Sequence, residues 1–217
     1  MTRRFVVVGT DTGVGKTVIA AALADALGAF YWKPVQAGLD GETDSRTVAR
    51  LAGLPPHRIL PEAWRLAMPA SPHIAARREG VEIDPQRLTP PDCEGPLIVE
   101  TAGGVMTPLT DRVATIDVLA RWGFPVVLVA RTALGTINHS LLTIEALRRR
   151  GVPLVGVAFV GEADAAAQET IARMGGTRAL GRLPPLAPLT RETLRAAFAA
   201  RFDLSPLAPT TTRRQQF

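Results

Sequence analysis

Short runs of apolar and often β-branched residues alternate along the chain with segments whose apolar positions recur at helical spacing. The runs are apolar throughout, as is typical of parallel strands that are covered on both faces. They predict strands over residues 5–8, 30–33, 97–100, 126–130, 154–160 and 179–183. The segments between them predict helices over residues 16–27, 45–52, 115–122, 138–150, 164–174 and 191–201.

This alternation of strands and helices predicts an α/β protein with three layers and a mostly parallel central sheet. Residues 55–96 are rich in proline, and only short helices at 73–79 and 85–88 are predicted there. We find no repeat, low-complexity linker or domain boundary, so residues 1–217 are predicted to form one domain. Residues 205–217 are expected to form an extended and flexible tail. The ligand of such a fold is expected beyond the carboxyl ends of the strands.

Composition supports one globular unit and excludes several other classes. The 217 residues are 47% hydrophobic, enough for a sizeable core. The net charge of +5 comes from scattered arginines, and with 7 Phe, 3 Trp and 1 Tyr no basic-aromatic stripe is visible, so we predict no nucleic-acid partner. Cys93 is the only cysteine, which excludes an intrachain disulfide and a thiolate metal cluster. Neither a signal peptide nor a membrane span is apparent, and a cytoplasmic protein is expected.

The segment Gly-Thr-Asp-Thr-Gly-Val-Gly-Lys-Thr at 9–17 lies between the first predicted strand and the first predicted helix. Its backbone N–H groups and the helix N-terminus are suited to wrap nucleotide phosphates. Lys16 would reach the β- and γ-phosphates, and the Thr17 hydroxyl would coordinate Mg²⁺. Gly13 and Gly15 allow the tight backbone path. The segment therefore predicts a P-loop, although Thr10 stands where the strict pattern has its first glycine.

A P-loop predicts nucleotide binding and does not identify the acceptor. Regulatory ATPases of the partition type usually carry a second lysine early in this loop. Asp11 stands at that place here, which counts against that class.

Three charged residues outside the loop are candidates for phosphoryl-transfer chemistry. Lys33 ends a predicted strand and could neutralise a transferring phosphoryl group, or it could simply enter solvent. Asp44 lies in a loop that enters a helix, where capping that helix is the simpler role. Glu100 ends a buried strand before a Gly pair, a usual place for a Mg²⁺ contact, direct or through water. An ordinary strand-end glutamate is the alternative.

The residues Gly135, Thr136, Ile137 and Asn138 open another predicted helix. The free N–H groups of this helix start could bind an anion, and the alternative is a well-capped helix with no ligand. His139, which follows, is expected to be a surface or packing residue rather than a catalyst.

Five segments taken together resemble the dethiobiotin synthetase family, and they occur in family order from the N-terminus to about Gly181. They are the loop at 9–17, Lys-Pro-Val-Gln-Ala-Gly at 33–38, Ser-Pro-His at 71–73, Glu-Thr-Ala-Gly-Gly at 100–104 with Thr-Pro-Leu at 107–109, and Leu-Gly-Thr-Ile-Asn-His at 134–139.

The resemblance implies a P-loop NTPase fold and an ATP-dependent ring-closing ligase of biotin biosynthesis. Its implied substrates are 7,8-diaminopelargonate, CO₂ or bicarbonate, and ATP as co-substrate, with Mg²⁺ as cofactor. An amine captures CO₂ as a carbamate, the carbamate takes the γ-phosphoryl group, and the second amine closes the cyclic urea. The enzyme's task is mainly to position anions and to stabilise developing charge.

The resemblance also implies roles for individual residues. Lys16 and Lys33 would be catalytic, and Thr17, Asp44 and Glu100 would serve the metal. The chain would bind the substrate through Thr12, Ala37, Gly135, Thr136, Ile137 and Asn138, the last four from the neighbouring subunit of a homodimer with shared active sites. Nucleotide contacts are implied for Gly13, Val14, Gly15, Lys16, Thr17, Val18, Asp44, Glu100, Thr101, Ala102, Gly103, Pro184, Pro185 and Leu186.

The sequence departs from the family pattern at three places. Ala37 replaces a common Ser or Thr, Val160-Gly161 replaces a common Asn-Asp that reads adenine, and Thr101 replaces a common glycine. Two alternative functions follow from the same scaffold. An amide-forming ligase such as a cobyrinate amidase-ligase would need a glutaminase portion, for which the chain has neither the length nor a cysteine nucleophile. A partition-type regulatory ATPase would usually carry a lysine where this sequence has Asp11, which argues against that function.

Overall fold

Every strand pairing in the main sheet is parallel. The computed structural model describes residues 3–208, and its seven-stranded sheet has the order β4-β2-β6-β1-β7-β8-β9. The strands of both sheets are β1 (Arg4–Gly9), β2 (Phe30–Trp32), β3 (Val35–Ala37), β4 (Ile59–Leu60), β5 (Trp64–Leu66), β6 (Leu97–Gly104), β7 (Val126–Arg131), β8 (Leu154–Val160) and β9 (Ala179–Leu183). The helices are α1 (Lys16–Leu27), α2 (Asp44–Ala52), α3 (Pro72–Glu79), α4 (Thr115–Trp122), α5 (Thr136–Arg149), α6 (Ala165–Met174) and α7 (Arg191–Arg201).

Helices cover both faces of the main sheet. Residues of α1, α2 and α7 share one hydrophobic cluster with alternate residues of β1, β2 and β6. Residues of α4, α5 and α6 share a second cluster with the opposite faces of the same strands. Because the central strands are buried on both sides, their sequences are continuously apolar. The predicted three-layer α/β fold with a parallel sheet is confirmed.

Most predicted elements are present, and their ends differ by a few residues. The bounds of α1, α4, α7, β8 and β9 are those predicted. Strand β6 continues to Gly104, four residues beyond the predicted end at Glu100, and α5 begins two residues before Asn138. Strand β2 ends at Trp32, so Lys33 leaves the main sheet at its carboxyl edge.

A small second sheet was not predicted. Strands β3 and β5 pair in parallel and, together with α3, surround a separate hydrophobic cluster that includes Val35, Trp64 and Leu66. Both strands have only three residues and give almost no periodic signal, and β5 also lies in the proline-rich segment. This small sheet matters for function, because the segment that follows β5 forms one wall of the cleft described below.

The start of the expected tail is packed against the body of the protein. Ser205–Leu207 form a 3₁₀ helix, Leu207 is fully buried, and Arg3 Nη1 donates to the Leu207 carbonyl at 2.9 Å. The predicted extended conformation is therefore wrong for these three residues, which are helical. The remainder of the predicted tail, from residue 209, lies outside the described residues. Among residues 3–208, no helix combines the length and the apolar character needed to cross a bilayer.

Candidate functional site

The loop between β1 and α1 has the backbone path of a phosphate-binding loop. Gly13 and Gly15 adopt φ of 71° and 95°, values that residues with a side chain rarely adopt. At Gly9 a Cβ atom would fall 2.8 Å from the Asp11 carbonyl and 2.9 Å from Lys16 Nζ. The loop thus folds closely on itself and leads into the N-terminus of α1, where unpaired N–H groups favour an anion.

Lys16 is buried at the start of α1 and turns back over the loop. Its Nζ donates to the Asp11 carbonyl at 2.8 Å. Burial is the main reason that the pKa of Lys16 falls to about 8, and the positive charge of Lys33 lowers it further. The two lysines of the sequence, Lys16 and Lys33, therefore lie close enough for their positive charges to repel each other.

The alternation of side chains along the adjacent strands β2 and β6 places Lys33 and Glu100 beside this loop. Successive side chains of a strand point to opposite faces, so Tyr31 shares a face with Lys33, and Ile98 shares it with Glu100. Tyr31 pairs with Ile98 across β2 and β6. Lys33 and Glu100 consequently emerge side by side at the carboxyl edge of the sheet, on the face that is covered by α1 and α2.

Thr17, Lys33, Asp44 and Glu100 converge in one polar cluster. Lys33 Nζ lies 2.6 Å from Asp44 Oδ2 and 3.1 Å from Glu100 Oε1, and it donates to the Thr101 carbonyl at 3.2 Å. Thr17 Oγ1 lies 3.0 Å from Asp44 Oδ1 and 2.8 Å from Glu100 Oε1. Lys33 is only 3% exposed, so the alternative in which it enters solvent is wrong.

The alternative role for Asp44, a simple helix cap, is also wrong. Asp44 is the first residue of α2, and its carboxylate points to Lys33 and Thr17 rather than to the helix backbone. Burial alone would raise the pKa of Asp44, but Lys33, Thr17 and Lys16 together outweigh burial and lower it. For Lys33, burial would lower the pKa, but the carboxylates of Glu100 and Asp44 outweigh it and raise it. Lys33 and Asp44 thus favour each other's charged form.

Two residues that the sequence did not single out support this cluster. The Tyr31 hydroxyl donates to Glu100 Oε2 at 2.8 Å. Burial raises the pKa of Tyr31 well above its usual value, and the charge of Glu100 adds to the effect, so the phenol stays a donor. Gln36 Oε1 accepts from the Asp44 backbone N–H at 3.2 Å. In the sequence, Tyr31 could have been recognised only from its position two residues before Lys33, which places both side chains on the same face of the strand.

The donor set of the cluster fits Mg²⁺. It offers a hydroxyl oxygen and carboxylate oxygens, which are the hard ligands that this ion prefers. Within the described part of the chain, no three His, Cys, Asp or Glu side chains form a self-sufficient metal cage. A few protein oxygens completed by water and phosphate oxygens are the usual arrangement for Mg²⁺ at a nucleotide site.

A cleft of about 720 Å³ opens over the loop and the polar cluster. The residues predicted from the sequence that line it are Thr12, Gly13, Gly15, Lys16, Thr17, Val18, Lys33, Ala37, Asp44, Glu100, Ala102 and Gly103. The rest of the lining comes from Gln36, from residues 69–72 and from Thr107 and Pro108, and all of these except Pro69 and Ala70 belong to the segments that carried the resemblance. The side chains of Val14 and Thr101 are buried and do not line the cleft.

The start of α5 does not line this cleft within one chain. Gly135 has φ of 91°, and Asn138 and His139 are exposed. Thr136 is buried, and its hydroxyl donates to the Arg131 carbonyl at the end of β7. The helix start is therefore exposed at Gly135 and Asn138, whereas the Thr136 N–H already donates to the Ala133 carbonyl at 3.1 Å.

The ends of β8 and β9 form the other side of the loop. Val160 lies against Gly15, because a Cβ atom on that glycine would fall 3.0 Å from the valine methyl carbons. The Gly161 carbonyl accepts from Arg182 at 2.8 Å, and its N–H donates to the Leu183 carbonyl at 3.0 Å. Residues 184–186 continue from β9 at this edge. Val160 and Gly161 thus present no side-chain amide or carboxylate there.

Comparison with known sequences identifies close relatives over nearly the whole chain. The model of the AAA domain family matches residues 3–193. The ATP-dependent dethiobiotin synthetase of Nitrobacter hamburgensis is 60% identical over 94% of this chain and 96% of its own. Those of Bradyrhizobium sp. and Agrobacterium fabrum are 61% and 58% identical, over 96% and 94% of this chain and 100% and 97% of their own.

Solved structures with a similar fold are much more distant in sequence. A ParA family ATPase from Chlorobium tepidum has a TM-score of 0.56 and 14% identity, over 92% of each chain. The septum site-determining protein MinD from Pyrococcus horikoshii has a TM-score of 0.53 and 17% identity, over 91% of this chain and 86% of its own. These similarities show the fold alone.

Proposed function

The chain belongs to the family of ATP-dependent dethiobiotin synthetases and is an ATP-dependent ligase, and we propose that it converts 7,8-diaminopelargonate, CO₂ and ATP to dethiobiotin, ADP and phosphate. The observation that carries the proposal is the position of Lys33. Its ammonium is buried between Asp44 and Glu100 and faces the same cleft as the phosphate loop. A fixed cation at that place suits a reaction in which a phosphoryl group passes between two anions.

The proposed reaction has three steps. One substrate amine attacks CO₂ and loses a proton, which gives a carbamate. A carbamate oxygen then displaces ADP from the γ-phosphorus, which gives a carbamic-phosphoric mixed anhydride. The second amine attacks the carbamate carbon, and the C–O bond to phosphate breaks as the cyclic urea closes. The protein has little covalent chemistry to perform, and positioning with charge stabilisation supplies most of the acceleration.

Lys16 and Lys33 approach the transferring phosphoryl group from two elements. Lys16 begins α1 and would exchange the Asp11 carbonyl for phosphate oxygens. Lys33 follows β2 and is held in place by its two carboxylates, so it can contact the carbamate or the phosphoryl group without reorganising. Because both ammonium groups are largely removed from water, their attraction for developing negative charge is stronger than in solvent.

The proposed magnesium ligands are Thr17, Asp44 and Glu100, directly or through water. When bound, Mg²⁺ supplies positive charge that neutralises phosphate oxygens during the transfer. The hydroxyl of Thr17 already lies within hydrogen-bond distance of both carboxylates, so these oxygens need little movement to face one ion.

We further propose a homodimer with shared active sites as the cytoplasmic form of the enzyme. Thr12 and Ala37 line the cleft on the chain that binds ATP. The helix start from Gly135 to Asn138 would bind the tail carboxylate of the substrate in the cleft of the partner, since Gly135 and Asn138 are exposed and none of the four residues lines the cleft of its own chain. Pro184, Pro185 and Leu186 would line the base pocket beside Val160.

Turnover with product identification tests this function. Phosphate release from ATP should require both 7,8-diaminopelargonate and bicarbonate, and mass spectrometry should detect dethiobiotin in equal amount. A partition-type ATPase, which the relatives do not favour, would instead release phosphate in response to DNA and a protein partner. ATP hydrolysis that is indifferent to the diamine, with no dethiobiotin formed, would contradict the proposal.

A further inference from the structure

We propose that Tyr31 is a positioning residue for Glu100 and holds one oxygen of that carboxylate toward Thr17 and Lys33. The two carboxylate oxygens of Glu100 have different partners. Oε2 accepts from the Tyr31 hydroxyl at 2.8 Å, whereas Oε1 lies 2.8 Å from Thr17 Oγ1 and 3.1 Å from Lys33 Nζ. This inference rests on the proposed function, because it takes Glu100 as one of the groups that would hold Mg²⁺.

The glutamate side chain cannot fix this orientation by itself. Rotation about the terminal bond of a glutamate is broad and has no strongly preferred staggered state. Glu100 is 1% exposed, so water cannot replace a missing partner at Oε2. Without the phenol, the carboxylate is expected to turn so that both oxygens share the remaining donors, because an unpaired buried oxygen is costly. Oε1 would then leave its place beside Thr17.

Tyr31 is a rigid anchor for this purpose. The residue is fully buried in the central part of β2, and its backbone pairs with Ile59 and Ile98 on the two sides. Its ring belongs to the hydrophobic cluster between the sheet and α1 and α2, where a change of rotamer would disrupt the packing. Tyr31 does not line the cleft, so its influence on a ligand has to pass through Glu100.

The test is calorimetric titration of the full-length protein with ADP, with and without Mg²⁺, for wild type and Tyr31→Phe. This substitution removes a single oxygen. Loss of a partner that orients a metal ligand typically weakens metal affinity by about 10- to 100-fold. Tyr31→Phe should therefore lose at least about tenfold in Mg²⁺-dependent ADP affinity, while ADP affinity without Mg²⁺ stays within about twofold.

Thr143→Val is the matched control. The Thr143 hydroxyl is buried and donates to the His139 carbonyl at 2.7 Å within α5, outside the cleft. This substitution also removes one buried hydroxyl group, and thermal unfolding of both variants measures how much stability each of them loses. Mg²⁺-dependent ADP affinity should be unchanged in this variant. A general loss of stability would thus be separated from an effect on Glu100.

The outcomes distinguish the inference from the proposed function. If Mg²⁺ increases the ADP affinity of Tyr31→Phe as much as that of wild type, Tyr31 does not position Glu100. The assignment of Glu100 as a metal ligand would not be affected by that result. A wild-type protein whose ADP affinity ignores Mg²⁺ would overturn the metal assignment, and the inference would fail with it.

A spectroscopic measurement covers the case in which Tyr31→Phe does not fold. Tyr31 is the only tyrosine in the sequence, so incorporation of 3-fluorotyrosine gives a single ¹⁹F resonance. Adding Mg²⁺ to the ADP complex should shift this resonance, with half-saturation at the Mg²⁺ concentration found by calorimetry. A resonance that does not move at saturating Mg²⁺ and ADP would overturn the inference.

Discussion

The Lys16 ammonium donates to the carbonyl of Asp11, 2.8 Å away in the same loop. Such a bond compensates only part of the cost of holding an ammonium away from water, which is why burial lowers the pKa of Lys16 to about 8. A phosphate oxygen carries more negative charge than a peptide carbonyl and is the better partner. The loop therefore holds Lys16 where a phosphate oxygen of an incoming nucleotide can replace the Asp11 carbonyl as its hydrogen-bond acceptor.

Lys16→Ala should abolish measurable turnover without changing the fold. The groups that wrap phosphate are backbone N–H groups and remain, whereas the charge that stabilises the transferring group is lost. Removal of one such group typically costs about 10²- to 10³-fold in rate. Dethiobiotin formation and circular dichroism on the same preparation decide the matter. Near-normal product formation would contradict the role of the loop.

Lys33→Met should inactivate the enzyme and also destabilise it. Removing the ammonium leaves Asp44 and Glu100 facing each other without the cation that joins them. Loss of one partner of a buried ion pair costs about 3 kcal/mol. Millimolar Mg²⁺ should restore part of this loss, because the ion can occupy the space between the carboxylates. Denaturant unfolding with and without Mg²⁺ measures both effects.

The control for this measurement is Arg149→Met, which removes an exposed ion pair with Glu145. Its stability should change by less than about 1 kcal/mol and should not respond to Mg²⁺ differently from wild type. Equal responses of both variants to Mg²⁺ would argue against a cation site beside Lys33.

Nucleobase selectivity should be modest. Val160 packs against Gly15, and both peptide groups of Gly161 are already bonded, to Arg182 and Leu183. Discrimination then rests on shape and on the backbone at 184–186, so the kcat/KM ratio of ATP to GTP or CTP should stay below about a hundredfold. A much larger ratio would show that another polar group reads the base.

Mixing two impaired variants should restore activity if the sites are shared. Asn138→Asp places a negative charge at the exposed start of α5 and should raise the KM of the diamine far more than that of ATP. Each homodimer of Lys16→Ala or Asn138→Asp is then impaired at both sites. After joint unfolding and refolding, random pairing should return about a quarter of wild-type activity. No recovery in a confirmed dimer would refute shared sites.

The contact between α1 and α7 should be sensitive to pH. Asp25 accepts from Arg195 Nε at 2.6 Å and from Arg191 Nη2 at 3.3 Å, and the hydrogen bond from Arg195 is the main reason that the pKa of Asp25 is lowered. A lowered pKa stabilises the folded state above the unfolded value of about 3.9, and this contribution disappears as the pH falls through the folded pKa.

Asp25→Asn should therefore lose about 1 kcal/mol at pH 7, and its deficit should shrink below about pH 4. Denaturant unfolding from pH 7 to pH 3 measures the trend. Asp92→Asn is the control, since Asp92 is fully exposed in its pair with Arg4 and should change little. A deficit for Asp25→Asn that is constant with pH would show that lost packing, not charge, is responsible.

The sequence by itself determined the features that depend on neighbouring residues in the chain. The phosphate loop, with its strand before and helix after, is one local pattern, and its glycines are required by the backbone path at Gly13 and Gly15. Continuous apolar runs predicted buried parallel strands because burial on both faces leaves no polar positions. Lys33 and Glu100 could be selected because each follows such a run.

Tertiary structure decided what those residues contact. Tyr31 and Glu100 are 69 positions apart, and only the parallel register of β2 and β6 places the phenol beneath the carboxylate. The small sheet of β3 and β5 and the burial of Leu207 depend on long-range packing of segments too short to show a period. A sequence pattern records which face of an element is buried, whereas the partner on that face is set by strand order and register.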